Sequence, residues 1–212
     1  ATIAGTPTND DVGTASVTVT VTDGSSATGT QTFDLVVSNT NDAPTISSTA
    51  VTAVDEDAAY TYTATGADVD SGDTLTLSAS APSWLTFTAS TGVLTGTPTN
   101  DEVGSHSVTI TVTDAAGATG TQTFTITVAN TNDAPTITST GGTAVDEDSA
   151  YSYSITTADV DSGDSAAITC SCPSWITLTD AGDGTATIAG TPTNDDVGTT
   201  SVTVTVTDGS SA

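Results

Sequence analysis

The sequence predicts an all-β protein made of tandem antiparallel β-sandwiches, and three observations lead to this fold class. First, threonine occupies 52 of 212 positions, whereas lysine, arginine and methionine are absent. Threonine favours strands, and the missing residues are strong helix formers. Second, short runs alternate apolar and polar residues with the period of two that half-buried strands require. Third, whole strings recur 91 residues apart, a length that suits a sandwich of several short strands.

The alternating series mark the strands of the most complete repeat. In chain order their apolar members are Tyr60, Tyr62 and Ala64; Leu75, Leu77, Ala79 and Ala81; Val108, Ile110 and Val112; and Phe124, Ile126 and Val128. We expect these residues to form the core, because alternate side chains of a strand point to one face. Trp84 and Trp175 each follow a Pro-Ser pair, and we expect both indoles to fill the cores of their sandwiches.

The repeated strings also predict the domain organisation. NTNDAPT begins at Asn39 and again at Asn130, and we interpret each copy as a linker at the end of a repeat. Residues 1–41 then resemble the last strands of one sandwich, and residues 42–132 a complete one. Residues 133–212 resemble a third sandwich that lacks its final strand.

The phase of the repeat predicts that the chain is a window onto a longer tandem array. Residues 1–27 repeat residues 186–212 with one difference, Ala15 against Thr200. A truncated sandwich would expose core residues and unpaired strand edges. The alternative is that the stray strands of one molecule complete the open sandwich of the next. The sequence alone leaves both interpretations open.

The charge balance excludes several classes of partner. The chain has 26 carboxylates and a formal net charge of −26, with no lysine or arginine to compensate. A nucleic-acid-binding protein needs basic residues to displace counterions, so nucleic acid is excluded as a partner. The same charge argues against docking on anionic membranes, and no run of 18 apolar residues predicts insertion into a bilayer.

The acidic residues are clustered at predicted strand ends and turns rather than scattered. In the complete repeat and its linkers the clusters are Asn41-Asp42, Asp55-Glu56-Asp57, Asp68-Val-Asp70-Ser-Gly-Asp73, Asp101-Glu102, Asp114 and Asn132-Asp133. Two carboxylates about 4 Å apart repel by roughly 4 kcal/mol at an effective dielectric constant of 20. Without lysine or arginine, only solvent, protons or a bound cation can relieve this repulsion. Oxygen ligands with little histidine or cysteine select Ca²⁺ over zinc or copper, and magnesium prefers fewer carboxylates.

The alternative for any acidic residue is a solvated turn that keeps the surface soluble. We expect this role for four aspartates outside the recurrent clusters, namely Asp23, Asp34, Asp180 and Asp183. For the recurrent clusters, their repetition at matched positions favours Ca²⁺.

The order of these motifs resembles that of bacterial cadherin-like repeats, including the dystroglycan-type cadherin and Ig-like modules of large surface adhesins. The motifs are DED, ADVDSGD, GVLTGTPTNDEVG, TVTD and a closing NTNDAP, and they cover the whole chain in the phase given above. The resemblance implies an Ig-like or cadherin-like sandwich with Ca²⁺ bound at domain junctions. Asn39 and Asn130 depart from the family pattern, which has an aspartate there, so one or two ions per junction are expected rather than three.

The resemblance also implies two sets of metal-binding residues. The upper set comprises Asp10, Asp11, Asn41, Asp42, Asp68, Asp70 and Asp114. The lower set comprises Glu56, Asp101, Glu102, Asn132, Asp133, Asp159, Asp161 and Asp208. An ion bound by both sets of loops and the linker would stiffen a joint that the proline of the linker cannot fix by itself.

The cysteines and the histidine carry no predicted chemistry. Cys170 and Cys172 replace Ala79 and Ala81 of the preceding repeat, and we expect two small buried thiols. His106, the single histidine, is expected to be an exposed residue at a strand start. Without a second histidine or a lysine, no nucleophilic constellation can form, so we do not expect an enzyme.

Together these features predict a structural stalk or extender of a secreted or cell-surface bacterial protein. Its partners would be neighbouring repeats of the same chain or fibre, and other cell-surface proteins or glycans. One alternative is a self-assembling extracellular filament subunit joined by strand exchange. Another is a carbohydrate-binding accessory module of a secreted enzyme, which would require an exposed aromatic platform.

Overall fold

The computed structural model describes residues 1–161, 163 and 166–209. The last three residues of the predicted segment 133–212 therefore lie outside the described residues. The chain forms two compact units. The first comprises Ala1–Val54, Ala58–Pro98 and Gly104–Val128, and the second comprises Asp55–Asp57, Thr99–Val103 and the described part of Ala129–Ala212. Two short acidic segments of the middle repeat thus belong to the second unit.

The first unit is built from β-sheets whose strands follow the predicted alternation. Its strands are β1 (Gly13–Thr22), β2 (Thr28–Val37), β3 (Thr45–Ile46), β4 (Ala53–Asp55), β5 (Tyr60–Thr63), β6 (Gly66–Ala67), β7 (Thr76–Ser80), β8 (Leu85–Thr88), β9 (Val93–Gly96), β10 (Gly104–Thr113) and β11 (Thr119–Ala129). The last residues of β4 and β11, Asp55 and Ala129, belong to the second unit. The pairs β1–β2 and β3–β6 form two-stranded sheets, while the orders β4-β11-β10-β7 and β5-β9-β8 form the two larger ones.

The core of the first unit lies between these two larger sheets. Leu94, Val108, Ile110 and Ile126 are fully buried, and they come from both sheets. Trp84 packs against this core while remaining partly exposed. The apolar series predicted for the strands β5, β10 and β11 therefore face inward. In contrast, the β1–β2 hairpin is almost entirely exposed along its length.

The second unit repeats this arrangement with a smaller core. Its strands are β12 (Thr136–Ile137), β13 (Tyr151–Ala158), β14 (Ala167–Ser171), β15 (Ile176–Asp180), β16 (Thr185–Gly190) and β17 (Thr203–Thr207). The order β12-β13-β16-β15 forms one sheet and β14-β17 the other. Ile155, Ile168 and Ile188 form the centre of the core, and Trp175 packs against it.

A glycine in each unit lets a strand pass close to the tryptophan. A Cβ atom at Gly96 would overlap the carbonyl oxygen of Trp84, and one at Gly190 would overlap that of Trp175. Only glycine lacks the Cβ that makes this contact, so both positions require it. The string GTPTND begins at both of these glycines.

Four sequence expectations about individual residues are wrong. Ala81 was expected in the core but is exposed, because it lies just beyond the end of β7. Cys170 and Cys172 form a disulfide rather than two free thiols, and both side chains pack against the second core. His106 is half-buried instead of exposed, because its ring packs edge-on against Trp84 with 5.8 Å between the ring centroids. Asp34 is exposed as expected but lies within β2, opposite Ser16 of β1, and not in a turn.

The other solvated aspartates do lie in turns or at strand ends. Asp23 accepts hydrogen bonds from the backbone N–H groups of Ser25 and Ala27, and Asp183 accepts one from Thr185. Among the described residues, no helix has the length and apolar character needed to cross a bilayer.

Candidate metal centres

Three short 3₁₀ turns each begin with an asparagine, and the asparagines of the first two turns contact the buried aspartates. These turns are Asn9–Asp11, Asn100–Glu102 and Asn194–Asp196. In the second turn the Glu102 carboxylate accepts hydrogen bonds from the backbone N–H and the hydroxyl of Thr99, both at 2.8 Å. Asp11 bonds Thr8 in the same way. These acidic side chains cap their own turns, and each turn holds its first residue, an asparagine, in a fixed place.

The first cluster brings together three carboxylates of the first unit. Oxygen atoms of Asp68, Asp73 and Asp114 all lie within 4.8 Å of one another. Asp114 follows β10 and is buried, while Asp68 and Asp73 come from the loop after β6 and are half-buried. Asp68 and Asp114 belong to the predicted set. Asp73 was missed as a site residue, although it ends the Asp68–Asp73 sequence cluster.

Asp70 lies beside this cluster and is held by neutral donors. Only 5% of Asp70 is exposed. Its Oδ2 accepts the backbone N–H of Asp42 at 2.7 Å, and its Oδ1 accepts the amide of Asn9 at 3.2 Å. The hydrogen bond from Asp42 is the largest cause that lowers the pKa of Asp70, and the Asn9 and Asn39 side chains lower it further. Asp70 is therefore ionised although it is buried.

Asp114 and Asp73 have opposite electrostatic environments. The Asn41 amide donates to Asp114 at 2.9 Å and is the main cause that lowers the pKa of Asp114. Desolvation by burial raises the pKa of Asp73, and the charges of Asp68, Asp114 and Asp70 raise it further. The first cluster thus concentrates negative charge that no side chain of the described residues neutralises.

The second cluster has the same chemistry in the second unit. Oxygen atoms of Glu56, Asp133 and Asp161 lie within 4.8 Å of one another. Glu56 is only 2% exposed, and its Oε1 accepts the backbone N–H of Thr131 at 2.5 Å. Residues 75 positions apart in the chain therefore meet at this carboxylate.

Asp161 of the second cluster is held as Asp70 is in the first. Its Oδ2 accepts the backbone N–H of Asp133 at 2.6 Å, and its Oδ1 accepts the amide of Asn100 at 2.9 Å. The hydrogen bond from Asp133 is the largest cause that lowers the pKa of Asp161, followed among the donors by Asn130 and Asn100. Asn132 donates to Asp208 at 2.9 Å, as Asn41 does to Asp114. The hydrogen bonds around Asp70 and Asp114 thus recur around Asp161 and Asp208. The three carboxylates grouped in each unit nevertheless stand at different positions of the repeat.

Several buried oxygens in and beside these clusters have no hydrogen-bond partner among the residues that the structure describes. They are Glu56 Oε2, Asp68 Oδ2, Asn132 Oδ1 and Asp159 Oδ2. A buried carboxylate oxygen without a donor is costly, and a cation removes that cost. All of the available ligand atoms in both clusters are oxygen, which is what Ca²⁺ prefers. The residues present therefore fit a calcium ion.

The structure brings most of the predicted ligands to the clusters but not all of them. Asp10 and Asp101 are exposed and make no hydrogen bond to the described residues. Asp11 and Glu102 cap their turns, as described above. Asp133 belongs to the second cluster. Asp42 donates its backbone N–H to Asp70 beside the first cluster, and Asp159 accepts the backbone N–H of Asp161 at 3.0 Å.

Sequence reasoning selected two of the neutral donors, Asn41 and Asn132, but missed Asn9 and Asn100. Asn9 and Asn100 stand at the same position of the repeated PTND string, 91 residues apart. Asn39 and Asn130 were noted only as departures from a family pattern. That recurrence was the available signal, because an amide repeated beside recurring carboxylates is a candidate hydrogen-bond donor to them.

A family model described as Putative Ig domain matches residues 1–38, 43–129 and 134–212. None of the curated proteins compared with the chain matches it.

Solved structures with a similar fold are cadherin ectodomains. PcdhgB3 EC1-4 has a TM-score of 0.68 at 19% identity, with 97% of this chain and 55% of that chain covered. The Protocadherin GammaB4 extracellular domain has a TM-score of 0.61 at 20% identity, with 92% and 34% covered. The chain therefore spans about half of the former and a third of the latter. At these identities the likeness shows the fold, which is that of tandem Ig-like and cadherin-like β-sandwiches.

Proposed function

The chain belongs to the Putative Ig domain family, and we propose that it is a calcium-stiffened stalk segment of a secreted or cell-surface protein. Its fold is consistent with an extracellular adhesion or structural module. In this role the segment would hold an adhesive domain away from the cell or form part of an extracellular fibre. Its nearest partners would be the neighbouring repeats of the same chain or fibre.

The observation that carries the proposal is the unpartnered oxygen of Glu56. This side chain is 2% exposed, its Oε2 has no hydrogen-bond partner, and Asp133 and Asp161 crowd it. The chain contains no lysine or arginine that could neutralise the three carboxylates. A divalent cation is the simplest partner for such a set of oxygens.

The residues that would hold the ions follow from the two clusters. Asp68, Asp73 and Asp114 would bind one in the first unit, and Glu56, Asp133 and Asp161 one in the second. When bound, Ca²⁺ supplies positive charge that cross-links the loops carrying these oxygens.

The chain itself orients the ligand oxygens before any ion binds. The backbone N–H of Thr131 fixes one oxygen of Glu56, so the other oxygen points to the remaining members of the cluster. The backbone N–H of Asp70 fixes Asp68 Oδ1 at 2.9 Å in the same way. Because these bonds are already made, binding costs little further ordering of the loops.

The linker residues take part in both clusters, which explains how an ion would stiffen the chain. Asp42 and Asp133 directly precede the Ala-Pro of their linkers, and each donates its backbone N–H to a buried aspartate. A proline linker is semi-rigid but does not fix an angle alone. Fastening its acidic residue to a loop of the repeat that follows removes that remaining freedom.

The same chemistry supports an extracellular location. Calcium sites of extracellular modules bind with dissociation constants of roughly 10⁻⁴–10⁻³ M, so millimolar calcium fills them and cytosolic calcium does not. Surface proteins or glycans of other cells would then be the partners of whatever the stalk displays.

We also propose that the segment has no catalytic role. Its carboxylates recur in each repeat, an arrangement that suits joints better than a single active site. The ring of His106, the single histidine, packs edge-on against Trp84. The aromatic residues of the middle repeat pack into or against its core, which disfavours the exposed platform that a carbohydrate-binding module requires.

The test is thermal unfolding of the chain in millimolar Ca²⁺, in millimolar Mg²⁺ and in excess chelator. At 10–100 times the dissociation constant, one site adds about 1.4–2.7 kcal/mol. This corresponds to a rise in Tm of roughly 6–20 °C for a domain of this size. We expect such a rise in Ca²⁺ and a smaller one in Mg²⁺. Identical melting curves in all three would refute the calcium-stiffened stalk and favour a filament joined by strand exchange, which sedimentation at increasing concentration would reveal.

A further inference from the structure

The two asparagines at the start of the first two 3₁₀ turns make contacts that the calcium proposal does not explain. Asn100 donates its amide to Asp161 at 2.9 Å. Asn9 donates to Asp70 at 3.2 Å and to Asp42 at 3.3 Å. A carboxylate only accepts hydrogen bonds, so each asparagine turns its nitrogen toward the cluster.

These contacts join parts of the chain that are distant in sequence. Asn100 and Asp161 are 61 residues apart, as are Asn9 and Asp70. Each acceptor is at least nine-tenths buried, with 7% of Asp161 and 5% of Asp70 exposed. A hydrogen bond to a buried charge contributes about twice as much as one between neutral groups. The asparagine amides therefore fasten the PTND turns to the aspartates.

The asparagine donors also affect what the carboxylates can offer a cation. In the second cluster both oxygens of Asp161 accept hydrogen bonds, one from the backbone of Asp133 and one from Asn100. Glu56 Oε2 in the same cluster accepts none. An ion that draws on the Asp161 oxygen facing Asn100 must compete with that amide. An aspartate in place of Asn100 would instead add a fourth negative charge to the cluster.

We infer that Asn9 and Asn100 are positioning residues that hold the acidic clusters together without a cation and thereby weaken calcium binding. Their uncharged amides stabilise the clusters by donating hydrogen bonds. Each amide occupies one carboxylate oxygen, that of Asp70 or that of Asp161. The asparagines therefore raise the stability of the clusters without calcium and lower their affinity for calcium. The calcium part of this inference rests on the proposed function, whereas the stability part does not.

The third copy of the turn provides a matched control within the same chain. Asn194 opens the turn Asn194–Asp196, which has the same Thr-Asn-Asp sequence and the same capping bonds as the first. Its side chain is exposed and makes no hydrogen bond to the described residues. A substitution at Asn194 thus changes the turn without removing a contact to an acidic cluster.

The experiment compares Asn100→Ala and Asn100→Asp with Asn194→Ala and Asn194→Asp in the full chain. Each variant is melted in excess chelator, and its calcium affinity is measured by titration calorimetry. In chelator we expect Asn100→Ala to lower the Tm by roughly 6–24 °C, because one hydrogen bond to a buried charge is lost. Asn100→Asp should lower it further, because the donor becomes a fourth carboxylate.

The calcium affinity of the Asn100 variants should rise, whereas their Tm in chelator should fall. Asn100→Ala should bind calcium more tightly than the unchanged chain, because the competing amide is gone. Asn100→Asp should bind roughly tenfold more tightly, because ligand charge sets affinity in calcium sites. The Asn194 variants should change neither quantity. The inference is overturned if Asn100→Ala melts in chelator like Asn194→Ala. It is also overturned if Asn100→Ala does not bind calcium more tightly than the unchanged chain; weaker binding would indicate that Asn100 is an oxygen ligand.

The two proposals can fail separately in this experiment. If the unchanged chain binds no calcium while the Asn100 variants still melt earlier in chelator, the proposed function fails and the positioning role stands. If the chain binds calcium but the variants melt unchanged in chelator, the positioning role fails and the proposed function stands.

Discussion

Replacing Glu56 by glutamine should have opposite effects with and without calcium. Glu56 is 2% exposed, and its two oxygens have different surroundings. Oε1 accepts the backbone N–H of Thr131, whereas Oε2 has no partner. Glutamine keeps the acceptor for Thr131, removes the charge, and places an NH₂ donor where Oε2 faces the other carboxylates. The shape of the side chain is almost unchanged, so packing is preserved.

The expected magnitudes follow from the distances in the cluster. Two carboxylate oxygens at the 4.8 Å limit of this cluster repel by roughly 3.5 kcal/mol at an effective dielectric constant of 20. Solvent and salt reduce this value, so we expect Glu56→Gln to raise the Tm in chelator by a few degrees. In calcium the variant loses an anionic ligand. A tenfold weaker affinity removes about 1.4 kcal/mol, and the rise in Tm caused by calcium should shrink by roughly 6–11 °C.

The assay is a pair of thermal melts, one in millimolar Ca²⁺ and one in excess chelator. The matched control is Asp57→Asn, one residue along the same acidic triplet. Asp57 is exposed and adopts a φ of 58°, a conformation that asparagine also tolerates. We expect this control to leave both melts unchanged. If Glu56→Gln lowers the Tm equally in both conditions, Glu56 is an ordinary structural residue and the reasoning is refuted.

Three further predictions concern the fold itself. Gly96→Ala should lower the free energy of unfolding by several kcal/mol in chemical denaturation, because the new Cβ would overlap the carbonyl oxygen of Trp84. Burial raises the pKa of Tyr60 to about 12, above the ordinary value of about 10. The protonated phenol therefore favours the folded state, and this stability should be present below pH 10 and lost as the pH rises toward 12, measured by ultraviolet difference spectroscopy. Reducing the Cys170–Cys172 disulfide should lower stability by no more than about 1.6 kcal/mol, because it closes a loop of only three residues.

Each of these predictions has its own control. Gly5→Ala should be neutral, because a Cβ at Gly5 meets no atom within 4 Å. Tyr60→Phe should abolish the loss of stability above pH 10, and a persistent loss would assign it to another group. Replacing both cysteines by alanine restores the residues found at Ala79 and Ala81 of the middle repeat. If that variant failed to fold, the disulfide would matter far more than its short loop allows.

The strands were predictable because their signal is local. Alternate residues of a strand face opposite sides, so the apolar parity of Val108, Ile110 and Val112 already indicates which face is buried. The register of β10 with β11 places Val108 opposite Phe124, both from predicted inward series. The hairpin of β1 and β2 repeats this register with Val17 opposite Phe33.

The acidic clusters were predictable in composition but not in detail. Recurrence singled out Asp68, Asp114, Asp133 and Asp161, and the structure places all four in the two clusters. Asp73 was not selected, because its place in the first cluster depends on how its loop returns toward Asp114. The spacing also does not show that Asp11 and Glu102 cap their own turns, whereas other carboxylates lie in the clusters.

Residues whose type differs from that of their counterparts in the other repeats were the least predictable. Cys170 and Cys172 were expected to be two buried thiols because they replace Ala79 and Ala81 of the middle repeat. Cys172 in fact lies just beyond the end of β14, where the backbone is no longer held by pairing. The position of His106 depends on Trp84, which comes from a different segment of the same sandwich.

The sequence by itself determined the all-β class, the repeat of 91 residues, the strand faces and the excess of uncompensated carboxylates. These features depend on local periodicity and on charge, and both can be read without coordinates. Only the tertiary structure decided which oxygens are buried without a partner, and that Asn9 and Asn100 donate to Asp70 and Asp161. Such contacts join residues 61 or more positions apart, and their geometry is set by the packing of whole sheets, which no local pattern contains.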